Sequence, residues 1–287
     1  MLNLWNPGPG LPMAVALLTA FLLGMLHGIT PDEHTWPITF SYSVGSYSTR
    51  GGLKAGILFS LSFTLQRALA AELAWYALVG PLMRGDVQFF IYAVVGIVMV
   101  VAGAYILRLG RNLHLLGFLE HWGRREESAD PRPVPLSMTL VHGFVAGWGT
   151  GAFAVLVYTV LVPAMSGPAV AFLPGLLFGL GTMSTQALFG AFFGRCMERW
   201  RLNARDKACL ARRMSGRTLL WGGLVFFLVG LAGQFLPLGR LYVVTPIRVH
   251  NLHQLGVGFF LVVVALFAVA FWSLRRSVRE LTGPSKG

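Results

Sequence analysis

Two histidines and two carboxylates occur within eight residues near the start of the chain: His27, Asp32, Glu33 and His34. Imidazole nitrogen and a carboxylate together suit a first-row divalent cation such as nickel, cobalt or zinc. Pro31 has no N–H, so the His27 carbonyl loses its partner in a continuing helix. We expect a broken helix that lets His27, Asp32 and His34 converge on a metal ion or a proton. The alternative is a helix end that enters a polar loop, where Asp32 and His34 are solvated.

The elements that must position these groups are membrane helices. Of the 287 residues, 55% are hydrophobic and only 12% are charged, against roughly 25% charge in a soluble domain. This composition largely excludes a soluble enzyme, a disordered chain and a secreted disulfide scaffold. Seven stretches have the length and apolar character of a membrane helix: 12–30, 55–80, 88–108, 138–163, 169–193, 217–237 and 254–274. We predict an all-α polytopic protein with seven transmembrane helices.

The basic residues indicate how these helices are oriented. The formal charge is +12, from 23 Lys and Arg against 11 Asp and Glu. Nineteen of the basic residues fall in one set of alternate loops, only Arg84, Arg240 and Arg248 fall in the other, and Arg67 lies inside a predicted span. Because cytoplasmic loops carry the excess of Lys and Arg, we expect the N-terminus outside and the C-terminus inside. The expected location is the plasma (inner) membrane of a prokaryote, with the lipid bilayer and not nucleic acid as partner.

Spans one to three match spans four to six in order. The matching positions are His27 and His142, Gly56 and Gly175, and Gly96 and Gly223. Because three is an odd number, the two copies would be inverted in the membrane. Inverted repeats are typical of secondary transporters, whose substrate site lies at the repeat interface. We predict a 3+3 inverted repeat plus one helix, in which His27 and His142 approach a shared axis.

The predicted units follow from this repeat. Residues 1–110 form the first three-helix repeat and residues 138–240 the second. Residues 111–137 form a cytoplasmic loop between them, and residues 241–287 hold the seventh helix and a cytoplasmic tail. Assembly into a homo-oligomer is compatible with this organisation, which does not specify the number of subunits.

The string 27–34 resembles the early-helix motif H-x4-D-H of the nickel/cobalt transporter family and its wider superfamily of exporters, with Glu33 as one extra residue. Residues 59–63 resemble the motif of the family's next helix, and residues 177–181 resemble a later glycine-containing run. The order agrees across spans one to six. The resemblance implies a secondary transporter whose substrate is a divalent metal ion, recognised by the two histidines and Asp32 of the first motif.

The chain departs from the family pattern where further ligands are expected. Phe63 stands where the family's second-helix histidine would be, and Met183 and Gln186 stand where acidic residues would be. A relative with a changed substrate is therefore an alternative. Arg67, a basic residue deep in a span, needs a partner or an anionic substrate, and it would repel a metal cation if it faced the pathway.

Other polar residues in the second and fifth spans are candidates for the pathway or for ion coupling. Gln66 and Glu72 flank Arg67, and Glu72 is either a proton-coupling carboxylate or part of an ion pair between helices. A second group follows the glycine-containing run and could line the pathway or join helices by hydrogen bonds. Its members are Thr182, Ser184, Thr185 and Gln186.

The remaining histidines of interest have two interpretations each. His142 is either a ligand contributed by the second repeat or a hydrogen-bonded histidine at a helix interface. The glycines spaced by four residues from Gly143 to Gly151 favour close helix packing. His250 and His253, three residues apart before the seventh span, could form an external site that admits metal or could simply lie in an interfacial loop.

The sequence favours a secondary transporter of a divalent cation such as nickel, cobalt or zinc. His27, Asp32, His34 and His142 would form the site, the metal would be substrate, and no cofactor would be required. The first alternative is a transporter or exporter of a small anion or organic acid centred on Arg67. The others are a non-transporting membrane accessory protein and a membrane-embedded metalloenzyme. The chain has no phosphate-binding loop and no nucleophile constellation, so we expect no enzyme.

Overall fold

The computed structural model describes residues 7–8, 10–30, 35–78, 85–109, 134, 136–149, 151–246 and 253–282. Five of its helices are long and apolar enough to cross a membrane: Thr49–Trp75, Val87–Leu107, Pro168–Arg199, Ala204–Phe235 and Val257–Arg276. Three shorter helices are also apolar: Met13–Ile29, Ser137–Ala146 and Phe153–Ala164. The protein is therefore an all-α membrane protein, as its composition predicts.

Four helices form the first part of the bundle: α1 (Met13–Ile29), α2 (Trp36–Ser46), α3 (Thr49–Trp75) and α4 (Gly85–Leu109). The helix α2 was not predicted from sequence. It is rich in Ser and Thr, yet all its residues from Pro37 to Ser46 are buried. Its C-terminus is closed by Tyr47, which adopts the left-handed conformation at φ 39°.

The second part begins with α5 (Ser137–Ala146) and α6 (Ala152–Leu156), and α6 continues as a π-helical turn, Val157–Leu161, and a 3₁₀ turn, Val162–Ala164. The prediction of one continuous span over 138–163 was therefore wrong. The interruption falls at residues 147–151, where three glycines in five residues disfavour a helix. The long helices α7 (Leu173–Arg199) and α8 (Ala204–Phe235) follow.

The helix α8 begins well before the predicted span at 217. Asn203 caps it, because its Oδ1 accepts a 2.8 Å hydrogen bond from the backbone N–H of Asp206. After α8 the chain forms a short antiparallel hairpin, β1 (Tyr242–Val244) and β2 (Gln254–Gly256). It ends with α9 (Val257–Val262), a π-helical turn (Val263–Val269) and α10 (Ala270–Thr282).

Glycines bring α3 and α7 into close backbone contact. A Cβ atom at Gly56 would lie 2.2 Å from the carbonyl oxygen of Gln186, and one at Gly175 would lie 2.0 Å from that of Arg67. Gly52 and Gly190 meet in the same way, each against the other's carbonyl. No hydrophobic driving force acts between helices in lipid. Small residues at such crossings let the backbones approach closely, and the resulting van der Waals contact holds the helices together.

Glycines also bring α4 and α8 into close backbone contact. A Cβ atom at Gly96 would lie 2.6 Å from the carbonyl oxygen of Gly223, and one at Gly223 would lie 2.7 Å from that of Gly96. Gly103 packs on the backbone of Leu220, and Gly230 packs on that of Ala93. The contacts in both helix pairs are thus reciprocal.

Basic residues cluster at one end of the bundle, which is called the basic end below: Arg50 and Lys54 on α3, Arg195 and Arg199 on α7, and Lys207 on α8. Here the start of α3 meets the end of α7, because the N–H of Thr49 donates a 2.8 Å hydrogen bond to a carboxylate oxygen of Glu198. Lys207, in the first turn of α8, donates to the backbone carbonyl of Glu198 at 2.7 Å. In α10, Ser273 donates to the carbonyl of Arg213, which brings the last helix to the same end.

Candidate functional site

Two helices are interrupted inside the bundle, and each runs beside one of the long helices. The first passes from α1 to α2 along α7, with Gly24 against the carbonyl of Phe178 and the Trp36 ring 4.3 Å from that of Phe189. The second passes from α5 to α6 along α3, with Gly143 against the carbonyl of Phe59 and Gly147 against Gln66. A break in a membrane helix releases backbone groups that must find partners within the protein.

Arg67 reaches across to the second break. Its Nη2 donates a 2.8 Å hydrogen bond to the carbonyl of Gly149, and its Nη1 donates one of 2.8 Å to the hydroxyl of Tyr158. The side chain is only 2% exposed, and its Nε makes no hydrogen bond within the described residues. These bonds engage two of the five N–H groups of a guanidinium.

Two phenyl rings complete the surroundings of Arg67. The guanidinium carbon lies 4.7 Å from the ring centroid of Phe63 and 5.7 Å from that of Phe178. Such faces attract a desolvated cation. Among the described residues, the partners of Arg67 are thus a hydroxyl, a carbonyl and two rings, with no carboxylate.

His27 contacts the same two rings. Its ring centroid lies 5.6 Å from that of Phe63, 5.2 Å from that of Phe178 and 5.8 Å from that of Phe153. Its backbone carbonyl, expected to lose its helical partner at Pro31, accepts a hydrogen bond from the Thr30 hydroxyl at 3.3 Å. His27 and Arg67 therefore lie in one aromatic cluster, formed by Phe63 and Phe178.

Gln186 donates a hydrogen bond to a backbone carbonyl beside the first break, as Arg67 does at the second. Its Nε2 donates a 3.0 Å hydrogen bond to the carbonyl of Gly28, which also accepts one of 3.2 Å from Nε1 of Trp36. Its Oε1 is buried and has no partner within the described residues. Gln66, beside Gly147, is fully buried, and both atoms of its amide lack partners there.

Of the three hydroxyls before Gln186, one joins two helices. Thr182 donates to the carbonyls of Gly24 and Phe178 and so joins α7 to α1. Thr185 bonds to the carbonyl of Thr182 within its own helix. Ser184 is exposed on the surface of the bundle, away from the aromatic cluster.

His142 lies in different surroundings from His27. Its Nδ1 makes a 2.8 Å hydrogen bond with the carbonyl of Met138 and a 3.4 Å contact with the hydroxyl of Tyr42, which is the pattern of a histidine at a helix interface. Tyr42, on α2, is its ring neighbour at 5.6 Å. Over the part of the chain that the structure describes, no group of three or more His, Cys, Asp or Glu side chains could hold a metal ion.

Four predicted residues lie outside the described residues, namely Asp32, Glu33, His34 and His250. His253 is half-buried at the hairpin, where its carbonyl accepts a hydrogen bond from the N–H of Thr245. Glu72 is half-buried on α3, toward the end opposite the basic end, and its Oε2 has no partner among the described residues. These positions are separate from the aromatic cluster.

Three residues of the site were not predicted from the sequence: Gly149 and Tyr158, which bind Arg67, and Phe153. A usable signal was present for the first, because Gly147, Gly149 and Gly151 interrupt an otherwise helical pattern. Gly143 and Gly147 do pack closely, as their spacing predicts, but a Cβ atom at Gly151 would meet nothing within 4 Å.

Comparisons with protein-family models, curated proteins and solved structures found no match to the chain. The proposed function therefore rests on the geometry of the described residues.

Proposed function

We propose that the protein is a secondary transporter built from two inverted three-helix repeats and a seventh helix, and that it moves a small anion. Arg67, at the break between α5 and α6, would bind the anion. The observation that carries this proposal is a buried guanidinium whose partners among the described residues include no carboxylate. A charged residue at membrane depth commonly marks a substrate or ion pathway, and the positive charge of an arginine there would attract an anion.

The reciprocal glycine contacts support the repeat. The contact of Gly56 with Gln186 becomes that of Gly175 with Arg67 when 119 is added to one residue number and subtracted from the other. The contact of Gly24 with Phe178 becomes that of Gly143 with Phe59 by the same shift. A pseudo-two-fold axis between α3 and α7 generates contacts of this kind.

This relation changes the expected pairing of the two histidines. The sequence alignment relates His27 to His142 by an offset of 115 residues, whereas the contacts relate Gly24 to Gly143 by 119. On the second register, the counterpart of His27 is Ala146. The different ring neighbours of His27 and His142 agree with it, so we no longer expect the two histidines to share a metal ion.

The two breaks support a substrate site at the centre of the repeats. Interrupted helices in transporters present half-helix ends and unwound backbone to the substrate near the repeat interface. Here the long-helix residues beside the breaks are Arg67 and Gln186, and each donates to a carbonyl next to a break. One donor is charged and the other is neutral, so the site carries a net positive charge within the described residues.

Metal transport remains the second candidate, because Asp32 and His34 lie outside the described residues. The surroundings of His27 favour the anion instead. Its ring packs among three phenyl rings, two of which also face the Arg67 guanidinium. A fixed positive charge in the same cluster disfavours a divalent cation in low dielectric.

Flux into liposomes that contain the purified protein tests the proposal. Radiolabelled sulfate, phosphate and acetate are compared with nickel and cobalt, in the wild type and in Arg67→Gln. We expect saturable uptake of an anion that falls about 10- to 100-fold in Arg67→Gln, since a charge-assisted hydrogen bond contributes about 1.5–3 kcal/mol. Arg240→Gln, at an exposed position, is the control and should retain flux.

Each alternative predicts a different outcome. Nickel or cobalt flux that survives in Arg67→Gln and is lost in His27→Ala would establish the metal transporter in place of the anion transporter. Bound metal with catalytic turnover but no flux would indicate a membrane-embedded metalloenzyme. No flux of any probe, with a protein partner that copurifies, would indicate an accessory protein.

A further inference from the structure

A row of three hydroxyl side chains follows one face of α2. Thr35, Thr39 and Ser43 are spaced by four residues, so they share a face and extend over about 12 Å along the helix axis. All three are completely buried. None of their hydroxyls has a hydrogen-bond partner within the described residues, which is costly for a polar group away from water.

Neighbouring hydroxyls on the same helix are satisfied locally. Ser41 donates to the carbonyl of Pro37 at 2.7 Å, and Ser46 donates to that of Ser43 at 2.7 Å. A hydroxyl in α2 can therefore bond to its own helix. The side chains of the row do not, which leaves their donors for another partner.

The row leads from the first break to the basic end. Thr35 occupies the N-cap position of α2, just after the break, without a side-chain capping bond, and α2 ends at Ser46, two residues before the cap of α3. Near that end, the Ser43 hydroxyl lies 3.1 Å from the position of a Cβ atom at Gly190, where α3 and α7 cross.

Other helices around α2 present unpartnered hydroxyls of the same kind. Ser60 on α3 is completely buried, as are Ser215 and Thr218 on α8, and none of the three has a partner within the described residues. The Ser215 hydroxyl lies 3.0 Å from the position of a Cβ atom at Gly45 on α2. Gly45 is two residues from Ser43, so the hydroxyls of α8 meet a different face of α2 and are separate from the row.

The matching positions in the other half of the bundle do not carry such a row. The 119-residue shift relates Thr35, Thr39 and Ser43 to Ala154, Tyr158 and Val162. Two of these are aliphatic, and the hydroxyl of the third accepts a hydrogen bond from Arg67. At these matching positions, unpartnered hydroxyls therefore occur only on the side of the bundle that leads to the basic end.

We propose that the hydroxyl row of Thr35, Thr39 and Ser43 lines the route by which the substrate passes between the first break and the basic end. This inference rests on the proposed transport function. In the described conformation the route is closed, because α2 packs on α7 through the ring pairs Trp36–Phe189 and Phe40–Phe193 at 4.3 and 4.8 Å. When α2 separates from α7, the hydroxyls donate to a small anion and to its water.

Cysteine accessibility in membrane vesicles tests the route without relying on transport. Thr39→Cys and Ser43→Cys are made in a background that carries Cys196→Ser and Cys209→Ser. An impermeant anionic methanethiosulfonate is added to the face from which the exposed Cys196 of the wild type reacts. The control is Ser41→Cys, which is equally buried on another face of α2, and Val162→Cys is the control in the other half.

We expect both row variants to react about tenfold faster than the controls, because reaction of a buried thiol follows the population of the open state. Failure of both row variants to react, or equal reaction of Ser41→Cys, would overturn the route. Reaction of the row variants with no anion flux would instead overturn the anion function and leave a solvated route.

A second variant separates a lining role from a structural one. Thr39→Val removes the hydroxyl and keeps the shape of the side chain. Because that hydroxyl has no partner in the described conformation, we expect an unchanged or raised melting temperature together with reduced anion flux. A lowered melting temperature with unchanged flux would show a structural role and overturn the proposal.

Discussion

Arg67 and Tyr158 are joined by a 2.8 Å hydrogen bond from Nη1 to the phenolic oxygen. The bond links α3 to the π-helical turn Val157–Leu161 that follows the second break. Turns of this type are frequent at functional sites. Here the turn holds the Tyr158 hydroxyl against the guanidinium.

Tyr158→Phe should lower the stability of the protein by about 1–3 kcal/mol, because it leaves a buried N–H of Arg67 without an acceptor. The measurement is the melting temperature in detergent. Tyr242→Phe is the control, since Tyr242 is 52% exposed and should melt as the wild type does. Equal melting of the two variants would show that the bond does not contribute.

Gly175→Ala should disturb the crossing of α3 and α7. The added Cβ atom would lie 2.0 Å from the carbonyl oxygen of Arg67, so the helices must separate, at a cost of about 1–3 kcal/mol or more. Thermal unfolding measures this cost. Gly151→Ala is the matched control, because its Cβ atom meets nothing within 4 Å, and a comparable loss there would contradict the close-contact explanation.

Gln186→Leu and Trp36→Phe should be coupled, because both side chains donate to the carbonyl of Gly28. Groups that share a partner show interaction free energies of about 0.5–3 kcal/mol in double-mutant cycles. The free energies of unfolding of the wild type, the two single variants and the double variant give this quantity. The pair Gln186→Leu and Tyr242→Phe shares no partner and should be additive, and additivity in the first pair would contradict the shared acceptor.

The orientation in the membrane can be tested with the chain's own cysteine. Cys196 is exposed at the basic end, so an impermeant maleimide should label it from the cytoplasmic side only. Ser166→Cys, exposed in the turn before α7, should react from the opposite side once Cys196 and Cys209 are replaced by Ser. Labelling of both positions from one side would contradict the predicted topology.

Composition and hydropathy are sufficient for the membrane class and for the apolar segment that each long helix contains, because both depend on local apolar content. They do not give the helix ends, since α8 begins at Ala204 and not at the predicted residue 217. The end of α1 at Ile29 also agrees with the helix end expected before Pro31. The interruption at residues 147–151 was not predicted. Hydropathy averaged over a window keeps that stretch within an apolar segment, and such an average does not register the low helix propensity of its glycines.

The helix α2 shows why polar content alone misleads. Its Ser and Thr side chains give it the composition of a loop, yet its burial is almost complete. The partners of Arg67 were beyond sequence reasoning for another reason. Tyr158 lies 91 residues away along the chain, and only the fold brings the two side chains together.

The matching positions of Arg67 and Gln186 have a consequence for how such a molecule could have arisen. The backbone carbonyl of each residue packs against a glycine of the opposite long helix. The backbone surroundings of the two positions are therefore alike, and only the side chains differ. Glutamine and arginine codons can be interconverted by a single base change. Two halves descended from one duplicated gene would therefore need only one point mutation at this position to become electrically distinct.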